Sequence, residues 1–225
     1  MRAATGLTQT YPNFIEISCY EVKKDLTLFC GYSNPLFLFS NIPCIFVKNT
    51  NVKQFHRFRN KLNKWFLNVQ GATLSPTAQV HHSVEISIPK RIILKDNSIL
   101  YKMCTIYVGN DGCFELGLHS HVAPYGYFLV ENQKLIIGND VAIGPFCSFF
   151  CVSNSTQGDL LFRKNYNKAD IHIGNNVFIG SHCVILPGTI IRDNIVVAAN
   201  SVVMGELRSG CLYAGNPAVV VKELR

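Results

Sequence analysis

Between Ile173 and Val203 an aliphatic residue recurs at every sixth position, as Ile173, Ile179, Ile185, Ile191, Val197 and Val203. Helices repeat at ~3.6 residues and flat strands at ~2, so neither element produces this interval. A six-residue period marks a parallel β-helix, in which short strands stack into coils and each strand sends one side chain to an interior corner. The fifth position of each hexad agrees, being small or β-branched: Val177, Cys183, Thr189, Ile195 and Ser201. Gly138-Asn139-Asp140, Gly174-Asn175-Asn176 and Arg192-Asp193-Asn194 follow the repeating aliphatic residue. Gly and Asn tolerate the left-handed backbone that tight corners demand.

The same step starts at Val80, Ile86 and Ile92, loosens over Leu94–Tyr107 and falls back in step at Val108 and Phe114. It blurs through Leu118–Lys134 and returns at Ile137, Ile143 and Phe149. The interval from Phe149 to Ile173 equals four hexads in length but lacks their signature, and holds the polar stretch VSNSTQGDLLFRKNYNK. It reads as an irregular loop thrown out of the coil, and long loops in compact folds are usually functional. AGNPAVVVKEL, after Arg208-Ser209-Gly210, should cap the last coil, whose strand edges would otherwise invite pairing.

Upstream, Phe14–Ile17, Leu26–Phe29 and Cys44–Val47, punctuated by Gly31, Pro35 and Pro43, predict short strands. Asn51–Leu67 predicts a basic amphipathic helix with Phe55, Phe58, Leu62, Trp65 and Phe66 near one stripe, packed on the rest of the domain. The expected organisation is a β-rich (α+β) region over 1–74, a β-helix over 75–206 with a loop extruded at 150–172, and a cap over 207–225.

A chain 48% hydrophobic and only 16% charged can bury a core, which argues against disorder. A net charge of +7 suits an anionic ligand. Nucleic acid is not expected, because there is no tract of five basic residues and no zinc or RNA-binding signature. Nine cysteines, an odd count without framework spacing, read as free thiols in a reducing cytosol. No signal peptide opens the chain and no apolar run approaches the ~18–20 residues of a membrane span, so a cytoplasmic location without a span is expected.

IGNNVFIGSHCVILPGTIIRDN followed by AGNPAVVVKEL resembles the hexapeptide-repeat acyltransferases, in particular the galactoside and maltose O-acetyltransferases and the bacterial polysaccharide O-acetyltransferases. The likeness is strong over 137–225, weaker over 75–136 and absent before. It implies a mainly β, left-handed parallel β-helix, a homotrimer, and acetyl-CoA as co-substrate in a groove between coils of two subunits. By the same resemblance Ser181 lies at the CoA site, the Ala199 backbone meets the pantetheine arm, and Lys222 stands near the CoA phosphates. Phe178 fills a position where relatives carry Trp, an aromatic wall beside acceptor or thioester. Val219 replaces a second basic residue, whose charge Arg163, Lys164 or Arg208 could supply.

One departure matters for chemistry. In the family resembled, the extruded loop opens with a histidine that acts as general base; the matching position here is Asn154. An alcohol attacking a thioester gains ~10²–10⁴-fold from a positioned base, and Asn cannot accept the proton. His121 first, and His119 second, are the replacements expected for transfer to a sugar hydroxyl in bacterial cell-surface glycan synthesis (capsule, lipopolysaccharide or sialic acid). Two alternatives stand. The acceptor is the amine of a nucleotide-linked amino sugar, with Asn154 orienting it or holding the oxyanion, or the protein is an inactive binding scaffold. Cys151 is the one plausible cysteine nucleophile, though direct transfer suits the fold better. His172 should point outward, His182 reads as a surface residue, and His56 lies on the polar side of the helix. His81 and His82 lack a carboxylate or a third ligand, so no metal site is expected.

Overall fold

The computed structural model describes residues 52–157 and 161–224, all within a unit spanning Lys48–Arg225. The strands expected over residues 1–50 lie outside the described residues. From Gln79 the chain climbs in six coils of three short parallel strands, one strand to each face of a triangular prism. Face A stacks Thr73–Leu74, Ile92–Leu94, Cys113–Leu116, Lys134–Ile137, Ile171–Ile173, Ile190–Ile191 and Glu206–Leu207. Face B stacks Gln79–Val80, Ile99–Leu100, His121–Val122, Ala142–Ile143, Val177–Ile179, Ile195–Val197 and Cys211–Gly215, and ends on the antiparallel strand Ala218–Glu223. Face C stacks Glu85–Ile86, Thr105–Val108, Tyr127–Glu131, Ser148–Phe150, Val184–Ile185 and Val202–Val203. This is a mainly β, left-handed parallel β-helix.

The six-residue series occupies faces A, B, C, A, B and C in turn, and every member is buried, at most 4% exposed. Each of these strands thus contributes at least one inward side chain, and the longer ones two: Val177 is buried beside Ile179 and pairs with the buried Ile195 one 18-residue coil later. The upstream coils fill their interior with aromatic rings instead: Phe114 meets Phe128 at 5.2 Å and Phe128 meets Phe149 at 5.0 Å. Burying such a side chain is worth ~1.5–3 kcal/mol, so the interior column is the main source of stability. The repeat blurs upstream because the C-to-A corners there are longer, at Pro89–Arg91 (a 3-10 turn), Gly109–Gly112 and Glu131–Gln133, and because the register shifts between Tyr107 and Val108.

The A-to-B corners are closed by a ladder of Asn and Asp side chains. The Asn139 N–H donates to Asn175 Oδ1 at 2.9 Å, and the Asn175 N–H to Asp193 Oδ1 at 2.6 Å. The B-to-C corners place Met103, Tyr125, Phe146, His182 and Asn200 in left-handed backbone, which is costly for bulky residues. Ring stacking offsets that cost, Tyr125 on Phe146 at 4.8 Å and Phe146 on His182 at 4.9 Å. In the fourth coil the C-to-A corner becomes the long excursion after Phe150. The expected irregular loop has a stem: Val152–Asn154 pairs antiparallel with Tyr166–Lys168.

Helix α1 (Val52–Val69) docks on the first coil with the opposite side from the one the sequence suggested. Phe55, Phe58, Leu62 and Trp65 are 40–64% exposed, whereas Leu67 is buried. The reason is backbone chemistry. Among the described residues no further coil lies beneath the first, so its outward backbone groups need partners. Lys64 Nζ donates to the carbonyls of Pro76 (2.7 Å) and Ala78 (2.8 Å), and Asn60 Oδ1 accepts the His82 N–H at 2.9 Å. At the other end Ala218–Glu223 covers the last strand of face B after a turn with a cis Asn216–Pro217 bond.

Candidate active site

Strand side chains alternate in and out, so the residue before each buried aliphatic on face B points outward. The register lines up Ile99, His121, Ala142, Phe178, Val196 and Leu212 as one outward row, with Lys222 opposite Leu212. At ~4.8 Å per strand, His121 stands ~10 Å and Lys222 ~14 Å from Phe178, on opposite sides of it. A surface cavity of about 500 Å³ opens along this row, lined by Asp140, Ala142, Asn176, Phe178, Asn194 and Leu224 among others. Phe178 is 50% exposed and forms its aromatic wall.

Ser181 and Ala199 sit on adjacent coils at the B–C corner that borders the same face. Ala199 is exposed, and its N–H finds no partner among the described residues. The coils approach closely here: a Cβ on Gly180 would come within 2.5 Å of the Ala199 nitrogen, so glycine is required. His119 occupies the A–B corner in left-handed backbone, its Nδ1 3.7 Å from Asp140 Oδ1, with both side chains exposed. Such a pair orients more than it stabilises. His121 is half-buried, edge-on to Tyr101 at 6.1 Å, and has no polar partner among the described residues.

The structure therefore brings His121, Phe178 and Lys222 onto one face, with His119 at one margin and Ser181 and Ala199 at the other. It does not bring Asn154 to them. Asn154 lies at the C–A corner, the one edge that face B does not border, and its amide donates to the Phe162 carbonyl at 2.7 Å. Arg163 and Lys164 share that loop. The Arg208 guanidinium is held by Glu223 at 3.2 Å. Cys151 is fully buried, and burial pushes its thiol up to about 12, so the cysteine nucleophile considered from the sequence is set aside. His172 is exposed on face A, and His182 belongs to the corner ring stack.

A second correction concerns metal ligands. The sequence offered no third partner for His81 and His82, but α1 brings His56 beside them, and ring nitrogens of the three lie within 4.8 Å of one another. No spacing in the sequence signals this, since the helix docking angle alone decides it.

Stacked hexads and glycine-dependent corners define a hexapeptide-repeat β-helix, with a surface cavity on one face. Residues 170–204 match the family model described as "Hexapeptide repeat of succinyl-transferase". A Lysinibacillus sphaericus protein named "Probable macrolide acetyltransferase" is 45% identical over 129 residues, covering 47% of this chain and 72% of that protein. Galactoside O-acetyltransferase of Escherichia coli (strain K12) is 32% identical over 116 residues, covering 49% of this chain and 57% of the relative. A solved point variant of AntD, an N-acyltransferase from Bacillus cereus in complex with dTDP-4-amino-4,6-dideoxyglucose and coenzyme A, shares the fold, with a TM-score of 0.65 at 20% identity over 72% of this chain and 89% of that one. The chain belongs to the hexapeptide-repeat acyltransferase family. It spans about half the length of its galactoside relatives, 57% of the Escherichia coli protein and 49% of the Lactococcus lactis one. No helix among the described residues is long and apolar enough to cross a membrane.

Proposed function

We propose that the protein is an acetyl-CoA-dependent O-acetyltransferase of the cytoplasm, transferring acetyl to a sugar hydroxyl in cell-surface glycan synthesis and working as a homotrimer. The observation that carries this reading is the face-B row, in which His121, Phe178 and Lys222 stand in register on one outward face and a cavity opens against Phe178. Lys222, exposed and outside the ion pairs of the described residues, takes the CoA phosphates. The pantetheine arm follows the B–C margin past Ser181 and the Ala199 N–H. The acceptor hydroxyl attacks the thioester carbonyl carbon while its proton passes to the His121 imidazole. As the tetrahedral intermediate collapses, the C–S bond breaks and the CoA thiolate takes that proton back. In a three-fold assembly the extruded loop of a neighbouring copy, with Asn154, Arg163 and Lys164, closes over face B.

Free-thiol release from acetyl-CoA, measured against sugars, nucleotide sugars and macrolides, tests the reading. Turnover with a hydroxyl acceptor is expected. No turnover with any acceptor, together with no thermal shift at millimolar acetyl-CoA, would instead indicate a binding scaffold.

Asn154 itself favours a second reading. Its side chain is not a base and one of its N–H bonds is engaged by Phe162, so this position contributes no proton acceptor. An amine acceptor, as on a nucleotide-linked amino sugar, is partly unprotonated near neutrality and needs none. Under that reading the rate climbs with pH as the amine deprotonates, and Asn154→Ala is more damaging than His121→Ala.

A further inference from the structure

At the N-terminal end of the β-helix three imidazoles converge. His81 and His82 occupy the first B–C corner, His56 stands on α1, and one ring nitrogen of each lies within 4.8 Å of the other two. Nδ1 of His56 and Nε2 of His82 are 3.3 Å apart. Tetrahedral zinc with Zn–N bonds of about 2.0–2.1 Å separates its nitrogens by about 3.4 Å, so this pair already has the spacing of two ligands on one ion. We propose that His56, His81 and His82 bind a divalent first-row transition-metal ion, zinc foremost, which ties α1 to the first coil.

The surroundings suit that role. His81 Nδ1 lies 2.8 Å from Ser83 Oγ and 3.2 Å from the Ser83 backbone N–H, contacts that hold the ring in place. The backbone N–H of His82 is bonded to Asn60 of α1 at 2.9 Å, so corner and helix are already in register before any ion binds. The exposed His56 ring turns about a soft terminal torsion, which lets its lone pair converge with the others. Arg59 and Lys102 repel a dication, which sets the affinity below that of a site containing a carboxylate. An all-imidazole set selects zinc, copper or nickel over magnesium and calcium. Three protein ligands leave a fourth position for water, and the rings line a surface cavity of about 510 Å³ with Ser83, Lys102 and Tyr125.

The test uses the full chain, stripped with chelator, desalted and titrated with zinc chloride by calorimetry. Cobalt(II) is titrated in parallel and followed by visible absorption. The expected result is one equivalent of zinc per chain, an intense cobalt band of tetrahedral type, and no response to magnesium. His56→Ala, His81→Ala and His82→Ala should each weaken zinc binding by at least about 10-fold, the lower end of what even outer-shell partners contribute, whereas His172→Ala should leave it unchanged. Zinc should raise the melting temperature of the native chain but not of His56→Ala. If the corner variants fail to fold, His56→Gln, an exposed helix position with a preserved circular dichroism spectrum, decides alone. Absence of stoichiometric uptake, or uptake that survives His56→Gln, overturns the site and leaves the 3.3 Å contact as a hydrogen bond between two imidazoles.

Discussion

His121 and His119 are two residues apart in sequence yet differently placed, one on the outward row of face B and one in a corner beside Asp140. As the proposed base, His121 acts in the transition state. His121→Ala should therefore lower kcat by ~10²-fold or more with the KM for acetyl-CoA nearly unchanged. Near-normal turnover in the His119→Ala/His121→Ala double variant would remove both from the mechanism. Lys222 is exposed, so its charge acts through screened solvent. Lys222→Glu should raise the KM for acetyl-CoA by about 3–10-fold at low ionic strength, with the difference shrinking in high salt. Cys151 is the opposite case. Its pKa is raised to about 12, so the thiolate forms only as pH approaches that value, and the native chain should resist alkylation at Cys151 near pH 8 while the unfolded chain reacts. Mass mapping of the labelled protein reads both states.

A coil is three strands and three corners, and each corner solves its turn with a different chemistry. The A–B corners use Asn and Asp side chains to cap backbone N–H groups. The B–C corners use glycine for close approach, at Gly144 and Gly180, and then bulky residues in left-handed backbone. Gly180→Ala forces its Cβ against backbone rather than a yielding side chain. It should cost ~1–3 kcal/mol in urea unfolding, as overpacking of a close contact does, and should weaken CoA binding by moving Ala199. Helix α1 is held mainly by hydrogen bonds to an open coil edge. Removing Lys64 leaves the Pro76 and Ala78 carbonyls without that donor.

At the scale of the molecule the prism keeps two sets of proposed functional groups apart. The cavity row lies on face B, and the stem of the extruded loop lies on the edge opposite. A closed three-fold assembly would bring them together, because each loop then meets a neighbour's face. Sedimentation at micromolar concentration should give a trimer, and acetyl-CoA should raise its melting temperature by mass action. A monomer with full turnover would exclude a site shared between subunits.

The sequence by itself determined the β-helix and its inward-facing residues downstream of Ile137. Ile173 to Val203 could be read directly because each coil contacts only the next, so burial recurs at a fixed separation and is written as a period. The tertiary structure decided what has no fixed separation. Longer corners at Gly109–Gly112 and Glu131–Gln133 hid the repeat upstream, and the stem of the extruded loop depended on pairing across it. Leu67 rather than the Phe58 and Trp65 stripe became the buried apolar contact of α1, because open carbonyls on the first coil favoured the helix's polar side. That docking, which no local pattern encodes, is also what carried His56 to His81 and His82.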